Sequence, residues 1–565
     1  MQQKYLKEAS RSAQPAAGIG DRGSAALAAL LGAALLWVIF LCPFVRAEAA
    51  EALPVTITAA AVTGKDQVTV TAAVPAGIQS DDGKLHLLAQ ECSQEGADGT
   101  EVAAVPLSQT AAFSFPLQEG KAASHLYQKF CAAVKSKGQF VPVSSARYLS
   151  NPEALGKKTA RIGNGGKKGL LLDPRLLNVT NYLTEAGVSQ VTYNLPLGDL
   201  CDTRKGGRIH YTYDGTDYVF NEDIVGQYDL IVPKMNKVGV SVTLILLNNL
   251  TESGDRTLIH PLARDTEEAN YYALNVSTRE GIRKLEAIAA FLGSRYSGGA
   301  HGTVDNWIVG NEANALDWNY INTAGNLDAA ALAYGDALRI VYSGIRSKNA
   351  SARVYACIDH EWAQSDFPGL HFAGKDFLKT MQAEITAEGN FDYGVAIHPY
   401  NVPLYASQTW SMETLGMSTK KQSSLYITMG NIGVFTDFLC GKAMLQTDGT
   451  VRSVLCSEVG YSSIPYDGYP NDEAQQAAAL VFGYLQAKNN QYIDGFFNRE
   501  ADAREEVEQG LALGVLSTED GKTYRRKLSY DFYKNIDNPS VAPDIMAACG
   551  AQMGGIDPAA LLTPR

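Results

Sequence analysis

Cysteine is sparse and unpatterned. Eight cysteines are spread over 565 residues, with no Cys-x-x-Cys pair and none spaced with histidine as a ligand set, so neither a zinc site nor a dense disulfide framework is encoded. Positive charge is also short. Forty-eight Lys and Arg stand against 60 Asp and Glu, a net charge of -12, and basic residues gather only in short groups such as Lys167-Lys168 and Arg525-Arg526-Lys527. That pattern does not suit a phosphate backbone, and nucleic acid is not expected as a partner. No glycine-rich fingerprint follows a strand candidate, so no cofactor is expected. Tryptophan is scarce too, with five residues in all, and that scarcity makes their positions informative.

What is present is length and apolar content. At 565 residues and 46% hydrophobic composition the chain exceeds a single compact core, which implies one large domain and one smaller one. Residues 1–49 carry a basic lead (Lys4, Lys7, Arg11, Arg22) and an apolar run from about Ala25 to Val45. This is an export segment. Its length suits a membrane anchor as well as a signal peptide, but Pro43 breaks the run shortly before the small-x-small site Ala47-Glu48-Ala49, which favours cleavage after Ala49. Either outcome puts the remainder outside the cell or on its surface; a retained segment would attach it to the membrane. Residues 53–150 contain short alternating runs, Val55–Thr58, Gln67–Ala72, Lys84–Ala89, Ala112–Pro116 and Phe140–Val143, which predict a small β-sandwich. Its cysteines, Cys92 and Cys131, could oxidise after export if their geometry permits. Glycines 163, 165 and 166 mark residues 151–168 as a linker.

From 169 to 540 strand and helix signals alternate, the pattern of a parallel sheet with crossover helices. Eight strands are predicted, at 169–172, 190–195, 240–247, 304–311, 353–358, 393–398, 453–458 and 492–497. Helices are predicted between them, clearest over 278–293, where Ile282, Leu285, Ile288, Ala289 and Leu292 share one side. Eight such units close a (β/α)8 barrel; residues 541–565 remain as a tail. Long insertions, including 198–221 and 249–275, would shape the cleft.

Two strand ends stand out. Trp307-Ile308-Val309 leads to Asn311-Glu312 at strand four, and Ser453 to Ser457 leads to Glu458 at strand seven, which puts both acids on the lip where barrel enzymes keep their chemistry. Either glutamate alone would equally fit a strand-terminal acid paired with a lysine or arginine. Together, with His398-Pro399-Tyr400 after strand six, they resemble the clan A retaining glycoside hydrolases, the cellulase-like (β/α)8 enzymes, which have Asn-Glu ending strand four, a glutamate ending strand seven and often His-x-Tyr after strand six. The resemblance covers about Lys168 to Asp537. It departs at strand eight, where those enzymes often carry tryptophan and this chain has Phe496-Phe497-Asn498. The whole chain also resembles a family of secreted bacterial proteins of unassigned function.

The resemblance implies an acid/base at Glu312, a nucleophile at Glu458, a sugar 2-hydroxyl contact at Asn311, a sugar contact at His398, and a hydrogen bond from Tyr400 to Glu458. Such chemistry needs two carboxyls about 5 to 5.5 Å apart, one to protonate the leaving oxygen and one to attack the anomeric carbon. Trp318, Trp362 and Trp410 each fall just after a predicted strand, where aromatic rings stack on sugars, although such a ring equally suits packing. Asn194, Asn248 and His360 sit at strand ends as candidates for hydroxyl contacts. Cys456, two before Glu458, is expected on the same side by alternation, as a small packing residue. The expectation is a secreted or surface-attached retaining glycosidase with a carbohydrate substrate. The alternative is a non-catalytic carbohydrate-binding or surface protein on a barrel scaffold. A metal-dependent hydrolase would need several His and Asp at strand ends, and only His360 and His398 of the eight histidines are there, so no metal ligands are assigned.

Overall fold

The computed structural model describes residues 53–562 except 122, 123, 164, 180, 519 and 521. Residues 1–49, where an export segment is expected, lie outside the described residues. Among those described, no helix is long and apolar enough to cross a membrane.

Two antiparallel sheets come first. One runs in the order β1 (Thr56–Val62), β2 (Gln67–Ala73), β5 (Thr110–Pro116). The other runs β4 (Thr100–Pro106), β3 (Lys84–Gln90), β6 (Lys129–Ser136), β7 (Gln139–Pro142), with β8 (Arg147–Tyr148) also on β6. Strict alternation buries Val68, Val70 and Ala72 on β2 and Phe113 and Phe115 on β5. The sequence pattern missed β4, an edge strand, and β6, whose first six residues are all buried and so show no alternation. Lys129 on β6 pairs with Glu388 at 2.6 Å, Arg283 pairs with Glu91 at 2.7 Å, and Lys348 pairs with Glu119, so ion pairs tie the sandwich to the helices behind it. Cys92 and Cys131 are unbridged: their thiols donate to the carbonyls of Val276 and Ser144, each at 3.2 Å.

The larger domain is the expected α/β fold, a closed parallel barrel. Its strands are β9 (Lys168–Leu171), β10 (Gln190–Pro196), β13 (Ser241–Leu247), β14 (Asn306–Val309), β15 (Arg353–Ile358), β16 (Gly394–Ile397), β17 (Val454–Val459) and β18 (Ile493–Arg499). Alternation sends Leu171, Ile245, Leu247, Ile308, Tyr355, Cys357, Ala396, Leu455 and Phe497 inward, where they fill the barrel. The rings of Phe497 and Tyr355 lie so close to neighbouring strands that a Cβ on Gly169 or Gly394 would come within 2.5 and 2.4 Å of them. A filled interior leaves the C-terminal mouth as the place for chemistry.

The crossover helices include Glu222–Lys237, Arg279–Arg295, Leu327–Arg346, Gly374–Ala387, Ile432–Leu439 and Glu473–Asn489. Thr278, Asn326 and Asp472 cap three of them by accepting from backbone N–H groups in the first turn. Inside the 198–221 insertion a hairpin forms, β11 (Arg208–Tyr213) against β12 (Thr216–Asn221), turned by Asp214-Gly215 at φ of 54° and 73°. Asp-Gly is the dipeptide that a two-residue turn with both φ positive favours. Within the stretch expected as a linker, Arg161 donates to Asn306 Oδ1 at 2.8 Å and to the Asp305 carbonyl at 3.2 Å. Beyond residue 540 the chain forms the helix Ala542–Gln552, with Ile545 and Cys549 buried.

Candidate active site

Glu312 and Glu458 meet at the barrel mouth, joined through one imidazole. β14 ends at Val309, and the chain then turns sharply through Gly310 at φ 70° and Glu312 at φ 43°. The left-handed conformation costs a non-glycine residue roughly 1–2 kcal/mol, and such outliers concentrate at functional sites. Tyr334 braces the turn from below, donating to the Val309 carbonyl at 2.6 Å and accepting from Cys357 N–H at 2.8 Å. Glu458 is carried on β17, and His398 directly follows β16.

His398 Nδ1 lies 2.7 Å from Glu312 Oε1 and 3.4 Å from Glu458 Oε2. Those two distances meet at one nitrogen, so the two carboxylate oxygens are at most 6.1 Å apart. The far side of the ring faces Cys357 Sγ, 3.5 Å from Nε2. Glu458 has a second cation. Its Oε1 is 3.3 Å from Arg499 Nη1, and Arg499 is itself gripped by Glu506.

Burial raises the pKa of Glu312; the hydrogen bond and charge of His398 oppose that, while the charges of Glu458 and Asp317 add to it. Burial alone would lower His398, yet Cys357, the hydrogen bond to Glu312 and the charge of Glu458 together lift it well above an ordinary histidine. The imidazole therefore keeps its proton to higher pH than burial alone would allow, while burial is what raises Glu312.

A second buried network adjoins the first. His371 Nδ1 lies 2.8 Å from Glu361 Oε1 and its Nε2 lies 3.0 Å from Asp317 Oδ1. Burial opposes its charge, but hydrogen bonds to both acids push its pKa up to about 10. Asp359 accepts from Asn314 Nδ2 at 2.6 Å and from Glu361 N–H at 2.9 Å. Its pKa is raised well above the usual range by burial and by the charges of Glu361 and Glu312. Asp359, Glu361 and His371 bring ligand atoms within 4.8 Å of one another. Both His371 nitrogens already face carboxylates, so the donor set fits an imidazolium held between acids rather than a metal ligand.

Of the residues singled out from sequence, the structure brings Glu312, Glu458 and His398 together. Asn311 is half-buried beside Glu312. Tyr400 is buried against Leu511 and Leu513, and burial and the charge of Glu458 raise its hydroxyl pKa. Trp318 is half-buried, its ring 6.3 Å from that of Tyr271, whose own pKa is raised by burial and then by Glu458. Trp410 is half-buried in a short turn, Thr409–Ser411, against the core. Asn194 is exposed at the end of β10.

Two expectations need correcting, and a third concerns strand geometry. Trp362 is fully buried, edge-on to Phe435 and Phe438 at 5.6 and 5.1 Å. His360 lies against Tyr426, its Nδ1 buried without a partner, and burial holds its pKa down to about 4. The chain after β15 pairs with a later loop, Ile427 N–H donating to the His360 carbonyl and Trp362 N–H to the Leu425 carbonyl, each at 2.8 Å. Asn248 is buried and spends its amide on the carbonyls of Leu258 and Ala273. Cys456 packs in the layer between strands and helices while Leu455 points inward, because pairing is irregular between Cys456 and Val459 and alternation does not carry to Glu458. Arg499, Cys357, Asp317, His371 and Glu506 were not found from sequence. Only Arg499 had a signal, its place two residues past the predicted end of strand eight.

The fold and this site define a (β/α)8 barrel protein with a paired-glutamate centre at its C-terminal mouth. Residues 161–555 match the family of unknown function DUF5722, and the chain belongs to that family. No curated protein sequence matches it. Similar solved structures include a family 1 β-glucosidase from Thermotoga maritima, 12% identical with a TM-score of 0.40 over 64% of this chain and 86% of that one. A β-glucosidase from Pyrococcus furiosus is 11% identical with a TM-score of 0.42, over 70% of this chain and 99% of that one. A calcium-binding mutant of Bacteroides uniformis β-glucuronidase 2 is 10% identical with a TM-score of 0.36, over 86% of this chain and 50% of that one.

Proposed function

We propose that this protein is a retaining glycoside hydrolase. The observation that carries the reading is the single imidazole nitrogen shared by Glu312 and Glu458, which limits their oxygens to 6.1 Å apart. That limit suits a covalent double displacement and falls short of the roughly 6.5–9.5 Å that a water-inserting, inverting pair needs.

In the first step Glu458 attacks the anomeric carbon and forms an ester as the glycosidic C–O bond breaks, while Glu312 gives its proton to the leaving oxygen. In the second, Glu312 takes a proton from water, water attacks the same carbon, and the ester bond to Glu458 breaks. His398 donates from Nδ1 to Glu312 Oε1 and fixes the orientation of that carboxyl, and Arg499 steadies the nucleophile's charge. The neutralisation of Glu458 on esterification removes a charge that raises the Glu312 pKa, which suits the switch from acid to base. Asn311 is assigned the sugar 2-hydroxyl, Tyr400 supports Glu458, and Trp318 with Tyr271 forms an aromatic wall beside the pair. The proposal includes export, on the pattern of residues 1–49, to the cell surface or beyond.

The test is release of reducing ends from a panel of polysaccharides by the wild type and by Glu458→Ala. Turnover that is lost in the variant supports the reading. Turnover that survives in Glu458→Ala refutes the assignment.

A further inference from the structure

The chain's charge is -12, yet the described residues that line one cavity of about 750 Å³ include three arginines, Arg175, Arg504 and Arg525, and one carboxylate, Asp502. A volume of 300–1,000 Å³ is typical of a small-molecule site. The cavity lies on the same end of the barrel as the glutamate pair, since Arg175 follows β9 and Asp502 and Arg504 follow β18. Its wall includes Arg504 and Val507 of the short helix Arg504–Val507, the turn whose Glu506 grips Arg499 against Glu458.

The lining charges are arranged unequally. Asp502 is already neutralised by Lys527 at 2.7 Å. Arg175 is half-buried and likewise neutralised, by Asp173, with Nε and Nη2 donating at 2.9 and 2.6 Å, and it also donates to the carbonyls of Asp502 and Thr518. Arg525 contacts Glu473 at 2.7 Å and is otherwise 60% exposed. Arg504 is 91% exposed, with only a loose contact to Glu508 at 3.9 Å. Tyr524, held at 5.3 Å from the ring of Tyr182, adds an aromatic face to the guanidinium groups. A planar guanidinium fork matches a carboxylate or sulfate, and an aromatic face matches the apolar side of a pyranose ring.

We propose that this cavity binds an anionic saccharide unit, one bearing a carboxylate or a sulfate ester, as a subsite flanking the catalytic pair. The inference rests on the glycosidase reading for its role as a subsite, while binding itself is independent of turnover.

The experiment is isothermal titration of the full chain with polygalacturonate, chondroitin sulfate, neutral dextran and single-stranded DNA, at about 100 mM salt so that loose polyanion attraction is screened. Wild type and Glu458→Ala should bind polygalacturonate if a carboxylate suffices, or chondroitin sulfate alone, which carries both groups, if the sulfate ester is required. Neither protein should bind dextran or DNA. Arg504→Ala/Arg525→Ala, two exposed positions where folding is undisturbed, should weaken the acidic polymer about tenfold or more, the loss expected from two charge-assisted contacts. Equal binding of DNA, undiminished binding by the double variant, or no binding of either acidic polymer would overturn the proposal. Cleavage of a neutral polymer without acidic binding would remove the cavity and leave the glycosidase. Acidic binding without any cleavage would do the reverse.

Discussion

Replacing His371 by Gln removes a buried cation held between Asp317 and Glu361, and the cost is set by pH. The folded-state pKa of His371 is about 10 against an ordinary 6.5, and its side chain is only 8% exposed. At 1.36 kcal/mol per pKa unit, the preference of the folded state for the proton is worth about 5 kcal/mol as an upper figure. Because the folded pKa is raised, that contribution is complete below pH 6.5 and is lost as pH rises towards 10. Glu286 and Asp336, each raised by burial to about 7, weaken the protein over part of the same range, but they titrate identically in both proteins and cancel in the comparison. Urea unfolding midpoints of wild type and His371→Gln, measured from pH 6 to pH 10.5, should therefore differ most at the acid end and converge at the alkaline end. A gap that is constant or widens with pH would refute the picture of an imidazolium between two acids.

Arg499→Leu should lower turnover about a hundredfold, since a 3.3 Å charge contact to Glu458 is worth several kcal/mol even at an effective dielectric of about 20, and steady-state rates on the cleaved substrate check it. Glu312→Ala should still form the glycosyl-enzyme from substrates with good leaving groups and then stall; added azide should restore turnover and give a glycosyl azide of the starting configuration. Azide rescue of Glu458→Ala instead, with inverted product, would exchange the two roles. Trp362→Ala should cost about 3–5 kcal/mol of stability because a fully buried ring is lost, whereas Trp318→Ala should leave the melting temperature near the wild-type value and raise KM. Thermal melts and KM on one substrate separate the two.

The barrel was legible because each buried strand is a short apolar run ending in polar residues, and the crossover helices carry their own period and caps. Predicted and observed strands differ by no more than two residues at any end; β14 is shorter by two at each, and Gly310 at φ 70° follows directly on its last residue. Glu312, Glu458 and His398 could be named because each lies at a strand's C-terminal end or within three residues of it. Arg499 was hidden because an apolar pattern ends at Phe497 while the strand itself continues two residues further. Trp362 was misplaced for a different reason: nothing local to residues 360–362 indicates that residues 425–427 fold back against them. His371 and Asp317 are brought to the site by loops whose paths depend on contacts distant in sequence. Loop courses of that kind leave no periodic trace.

The most direct test of the central claim is proton NMR of the first-formed product, recorded before mutarotation, on whichever glycoside the wild type cleaves. With oxygens of Glu312 and Glu458 no more than 6.1 Å apart, the released sugar should carry the anomeric configuration of the substrate. Appearance of the opposite anomer first would mean direct attack by water and would contradict the assignment of Glu458 as a nucleophile.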